Sequence, residues 1–140
     1  MADYISLTMA SGDDPDRLTN AIGAFVEANA IAGRSAYALE LVLEELVTNV
    51  VRHGTGPNGA TIAVDLMCDN GTLTGTVSDT AAPFDPLRQK PADTTLSLEE
   101  RDVGGLGIHL VREMTDSLSY SREDGKNRLT FTIAFEKDAP

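Results

Sequence analysis

The sequence predicts an α+β fold: a two-layer sandwich of a mixed, mostly antiparallel sheet with its helices on one face. Three observations carry this. Two helix-period segments, 16–30 and 35–53, stand side by side early in the chain. Two hairpin signals, Asp69-Asn70-Gly71 and Asp124-Gly125-Lys126-Asn127, each join strand-like runs. A third helical run lies between the two hairpins, so helices and antiparallel strands alternate in blocks rather than one by one.

Taken in order, residues 4–9 alternate apolar and polar and read as a strand. Ser11 to Pro15 is turn chemistry, and Pro15 suits a helix's first turn. Leu18, Ile22, Phe25 and Val26 recur at helical spacing through 16–30, and Ala32-Gly33 is expected to break that helix. The longest periodic run, 35–53, places Ala36, Leu39, Leu43, Leu46, Val47 and Val50 on one face, and the Gly54–Gly59 loop stops it. Strands follow at 61–68 and 72–78. The pattern then lapses from Thr80 to Val103, with Pro83, Pro86 and Pro91; so long a loop in one domain reads as a functional lid, about 86–103. Gly104-Gly105-Leu106-Gly107 opens a helix expected at about 108–116, and strands near 117–122 and 128–136 close the chain.

At 140 residues the chain is expected to form one domain, 1–140, large enough to bury a real core. Hydrophobic residues make up 41% and charged residues 24%, a globular balance. No apolar run is long enough for a membrane span, and the first residues lack a basic segment followed by an apolar one, so no secretory leader is expected. The net charge of −11 opposes phosphate backbones and anionic membranes, which excludes nucleic acid and membrane surfaces as partners. A single cysteine, Cys68, and two histidines, His53 and His109, leave no internal disulfide and no multi-cysteine metal site; a cytoplasmic protein is the natural reading.

Three constellations could carry chemistry. On the long helix, Glu45 and Asn49 lie about 40° apart on a wheel advancing about 100° per residue, away from the apolar stripe. A carboxamide can ligate Mg²⁺, and a carboxylate one turn away can orient or deprotonate a hydroxyl. The same pair also fits a solvated polar helix face. Gly104 to Gly107, before a helix, lets backbone N–H groups approach an anion, though a simple hinge would look alike. Asp79 ends a strand, where a buried carboxylate can accept a hydrogen bond from an exocyclic amine; a strand-ending turn reads the same way.

In combination these residues resemble the Bergerat ATP-binding fold, shared by gyrase B, histidine kinases and MutL. The details are most similar to its anti-sigma-factor serine/threonine kinase branch. That branch's helix motif, close to Glu-Leu/Ala-x-Thr-Asn-x-x-x-His, is matched by Glu45-Leu46-Val47-Thr48-Asn49-Val50-Val51-Arg52-His53. Pro83-Phe84-Asp85-Pro86 and Gly104-Gly105-Leu106-Gly107-Ile108-His109-Leu110-Val111 look like the same branch. The resemblance implies that Glu45 is the base or orienting group for the attacking hydroxyl, that Asn49 holds Mg²⁺, and that Asp79 reads the adenine amine, with Ala81 and Pro83 in the turn beside it. It puts the triphosphate of ATP against Gly104, Gly105, Leu106, Gly107 and Ile108. Arg101 is a candidate to touch the β- or γ-phosphate, and Asn127 to support the adenine site through water. His53, His109 and Cys68 are read as structural. The implied partners are an anti-sigma-antagonist-type protein as substrate and a sigma factor, and relatives are commonly homodimers. A module that sequesters a partner without phosphoryl transfer is the alternative. One departure stands out: Ala81 occupies a position where the wider family has glycine. If that position needs a positive φ, alanine costs about 1 kcal/mol or more; if it needs close approach to adenine, a methyl intrudes.

Overall fold

The computed structural model describes residues 4–53, 59–88 and 103–135. The order is β1 (Tyr4–Ala10), α1 (Asp16–Ala28), α2 (Gly33–His53), β2 (Thr61–Asp69), β3 (Thr72–Asp79), a 3-10 turn (Pro86–Arg88), α3 (Val103–Met114), β4 (Ser117–Glu123) and β5 (Lys126–Ala134). The five strands form one sheet in the order β1-β2-β3-β5-β4. All four pairings between these strands are antiparallel, so among the described residues the expected sheet is present and is not mixed.

Both hairpins close through two-residue turns. Asn70 and Gly71 have φ of 49° and 78°, and Asp124 and Gly125 have 53° and 74°, the left-handed pair that such turns require. These turns fix the register, and the register fixes the faces. Met9, Ile62, Val64, Leu66, Leu73, Val77, Leu129, Phe131 and Ile133 point inward and are buried. They meet Leu18, Ile22 and Phe25 of α1, Leu39, Val42, Leu43 and Leu46 of α2, and Ile108 and Val111 of α3 in one core. The outer face is hydroxyl-rich, with Thr76 beside Thr130 and Ser117 beside Thr132. Gly75 has a packing role: a Cβ there would lie 2.2 Å from the Phe131 ring, which crosses the strand at that point.

Three boundaries differ from expectation for physical reasons. Ala32-Gly33 does not end α1. The Ile31 N–H donates to Val26 O and the Ala30 N–H to Glu27 O, with Ala30 at φ 52°: a Schellman cap built on alanine. Gly33 is then free to open α2. The glycine run is not a loop before α3 but its first turns, since α3 begins at Val103 and ends at Met114. Asn127 lies inside β5, because the turn is two residues long rather than four. The lid, apart from the Pro86–Arg88 turn and Val103, lies outside the described residues.

Candidate nucleotide site

The site forms where α2, the end of β3, the turn after it and α3 come together. Asp79 ends β3 opposite Asn127 of β5 and is 7% exposed. Its Oδ1 accepts the Ala81 N–H at 2.9 Å, an Asx turn, and the Asn127 Nδ2–H at 3.0 Å. Asn127 also donates to Ala82 O at 2.9 Å, and its Oδ1 accepts the Phe84 N–H at 3.1 Å and the Tyr120 hydroxyl at 2.5 Å. One carboxamide has two donors and two lone pairs, so Asn127 is fully used by protein groups. It fastens the 79–84 turn directly. Arg122 donates to Ala81 O at 2.8 Å from β4, and Arg112 of α3 donates to Leu87 O at 2.8 Å, anchoring the 3-10 turn.

Ala81 keeps a negative φ; among the described residues only Ala30, Asn70 and Asp124 are non-glycines with positive φ. The first cost feared for alanine at this position is therefore absent. Its methyl is half-buried against the core.

The other wall is α2. Asn49 is buried at 4% exposure and Glu45 is half-buried. The expected polar flank of α2 is therefore not a solvated face, because α3 and the turn cover it. Asn49 lines a small cavity with Asp79, Ala81, Phe84, Tyr120 and Asn127. The cavity holds about 20 Å³, room for roughly one water. Asn49 Nδ2 is buried there with no hydrogen-bond partner among the described residues. His53 closes the helix end by stacking on Phe84, with ring centroids 4.4 Å apart and 17° between planes.

The remaining expected residues divide. Glu45 lies against the α3 backbone at Gly107. Gly104, Gly105 and Leu106 lie in the first turns of α3, whose leading N–H groups have no helical acceptor. Ile108 is 4% exposed and packs into the core, so only its backbone could meet a ligand. Pro83 is exposed and does not line the cavity. Arg101 lies outside the described residues. Sequence reasoning passed over Tyr120, Arg122 and Arg112. The hairpin gave a signal for two of them: a two-residue turn at Asp124-Gly125 pairs Arg122 with Asn127 and puts Tyr120 diagonally across from it.

Residues 13–133 match the histidine kinase-like ATPase domain. This chain belongs to that family. Over 102 residues, 72% of each chain, it is 31% identical to the serine/threonine-protein kinase BtrW of Bordetella bronchiseptica. The crystal structure of the RsbU and RsbW domains of a Mycobacterium tuberculosis protein superposes with a TM-score of 0.66 at 14% identity. That alignment covers 97% of this chain and 33% of the other, and it shows the fold. An ATPase domain of this family uses ATP, and the donor set here fits that use. Asp79 has its Oδ1 engaged twice while Oδ2 has no hydrogen bond among the described residues, so a carboxylate acceptor remains for an amine. Asn49 carries an orphaned amide, and its oxygen and nitrogen exchange places on a half-turn, so it can offer oxygen to a hard cation. No cluster of three or more His, Cys, Asp or Glu occurs among the described residues. No helix among the described residues is long and apolar enough to cross a membrane.

Proposed function

We propose that this histidine kinase-like ATPase domain is an anti-sigma-type serine/threonine protein kinase. It phosphorylates a small anti-sigma-antagonist-type protein and, in its other state, holds a sigma factor. The observation that carries the reading is the pairing of Glu45 with the buried Asn49 amide one helical turn away, whose Nδ2 has no partner among the described residues, on the wall opposite Asp79. A purely structural helix face gains nothing from a buried amide without a partner.

Asp79 Oδ2 accepts the exocyclic amine of adenine, held in aim by Asn127 and the Ala81 N–H. Asn49 presents its carboxamide oxygen to Mg²⁺, and the first N–H groups of α3 face the phosphates. Bound Mg-ATP would supply the transferable phosphoryl group and the cation that offsets its charge. Glu45 accepts the hydrogen bond of the incoming serine or threonine hydroxyl and aligns it for attack. The cavity of about 20 Å³ is too small for a purine, so binding begins by parting the 81–86 turn from α2 at the His53–Phe84 stack. The net charge of −11 favours protein partners over nucleic acid. A cytoplasmic location and a homodimer complete the proposal.

Incubation with Mg-ATP and a recombinant antagonist-type protein, followed by intact-mass analysis, tests it. One phosphate added to the acceptor serine or threonine, about 10²-fold slower with Glu45→Ala and at nearly unchanged ATP affinity, is the expected result. ATP binding without any transfer would instead favour the sequestering module.

A further inference from the structure

We propose that Gly107 is a positioning residue for Glu45: it lacks a side chain so that the carboxylate can lie against α3, one turn from Asn49. This rests on the reading of Glu45 just given. A Cβ built at Gly107 would meet Glu45 Oε2 at 2.3 Å and its Cδ at 3.3 Å. No real Cβ sits so close, so any side chain at 107 and the present Glu45 rotamer exclude one another.

Gly107 is buried, in the interior of α3 and next to the core residue Ile108. Glycine is the poorest helix former after proline, so at a buried helical position its lack of a side chain needs a reason. Two other helical glycines behave differently. Gly23 in α1 and Gly33 in α2 would carry a Cβ with nothing within 4 Å. At Gly107 the colliding atoms belong to the free end of a flexible side chain and not to backbone. Alanine at 107 would therefore be accommodated by swinging Glu45 away, with α2 and α3 left in place. The fold would survive and even gain helix propensity, while the carboxylate would leave the position from which it meets a hydroxyl. A glycine required for close approach of phosphate has a different signature, because its loss weakens nucleotide binding whatever stands at position 45.

Four proteins separate these: wild type, Gly107→Ala, Glu45→Ala and the double variant. Each is measured for Mg-ATP affinity by calorimetry and for single-turnover transfer to the recombinant antagonist-type protein. Gly107→Ala should keep ATP affinity within about twofold and a melting temperature no lower than wild type, while transfer falls toward 10²-fold, the scale of a misplaced reacting group. In the Glu45→Ala background the same change should cost nothing further, since the two act as one unit. A drop in ATP affinity of about tenfold or more in both backgrounds would overturn the proposal and return Gly107 to the phosphates. Full transfer by Gly107→Ala, with Glu45→Ala impaired, would overturn it while leaving Glu45 as the base. Wild-type transfer by Glu45→Ala would overturn both. A crystal structure of Gly107→Ala adds a readout apart from activity: the Glu45 carboxylate should have moved, and finding it unmoved contradicts the proposal.

Discussion

The two buried asparagines of the site, Asn127 and Asn49, are alike in burial and opposite in bonding. Asn127, on β5, spends every donor and acceptor on the 79–84 turn and on Tyr120. Asn49, on α2, holds a buried Nδ2 with no partner among the described residues. Under the proposed function, the difference separates a half of the site finished by folding from a half finished by its ligand. On the sheet side, strand register delivers Asp79 and Asn127 to each other, and under the proposed function an acceptor aimed this way would discriminate between bases. The helix side keeps an unmet polar group, which folding tolerates only where something else meets it.

That contrast breaks most visibly when both asparagines are truncated. Asn127→Ala strands the Phe84 N–H, the Tyr120 hydroxyl, Ala82 O and Asp79 together, and should cost about 3 kcal/mol in urea unfolding. A loss below about 1 kcal/mol would mean the network is decorative. Asp79→Asn sharpens the base-reading half. It keeps an acceptor for Ala81 and Asn127 but turns the free oxygen into a donor. ATP affinity should fall by about 10²-fold and ITP should become the better ligand in competition calorimetry. Asn49→Ala, in contrast to Asn127→Ala, removes no side-chain hydrogen bond among the described residues. Stability should change by less than about 1 kcal/mol in either direction, while Mg-ATP binding weakens by about tenfold.

The smallest effect concerns Glu44, on the far side of α2 from the cavity. Its carboxyl is pushed above its usual range by partial burial, then by the neighbouring carboxylates Glu40 and Glu45. The folded state thus holds this proton more tightly than the unfolded chain does. Its contribution to stability is greatest below the ordinary value of 4.5 and falls as pH rises through the folded pKa. Glu44→Gln should accordingly raise the melting temperature slightly at neutral pH, with the gain disappearing in acid.

The sequence made the sheet side legible in outline and the helix side legible in detail. Asn70-Gly71 and Asp124-Gly125 marked both hairpins, and the Glu45–Asn49 spacing marked one wall of the site. Asp79 was placed correctly at a strand end and Asn127 was brought to its site, but their direct hydrogen bond was not foreseen, because it joins two strands that are far apart in sequence. Helical periodicity put Asn49 on a polar flank, and tertiary packing buried it. Periodicity describes one helix, whereas burial depends on α3. Ala30 ended α1 where glycine was expected, since a Schellman cap needs a left-handed residue and not a particular one. The start of α3 was hidden by its own glycines, which weaken the helical signal, while Gly107 lies against Glu45 of α2, a contact no single segment can reveal.

The most direct test of the division between a finished and an unfinished half follows the two side-chain amides by ¹⁵N NMR. Spectra of the wild-type protein with ADP are compared without and with Mg²⁺. The Asn49 carboxamide signal should shift on adding the metal, and the Asn127 signal should stay where ADP alone put it. An Asn49 signal indifferent to Mg²⁺, or an Asn127 signal that follows the metal instead, would contradict the account.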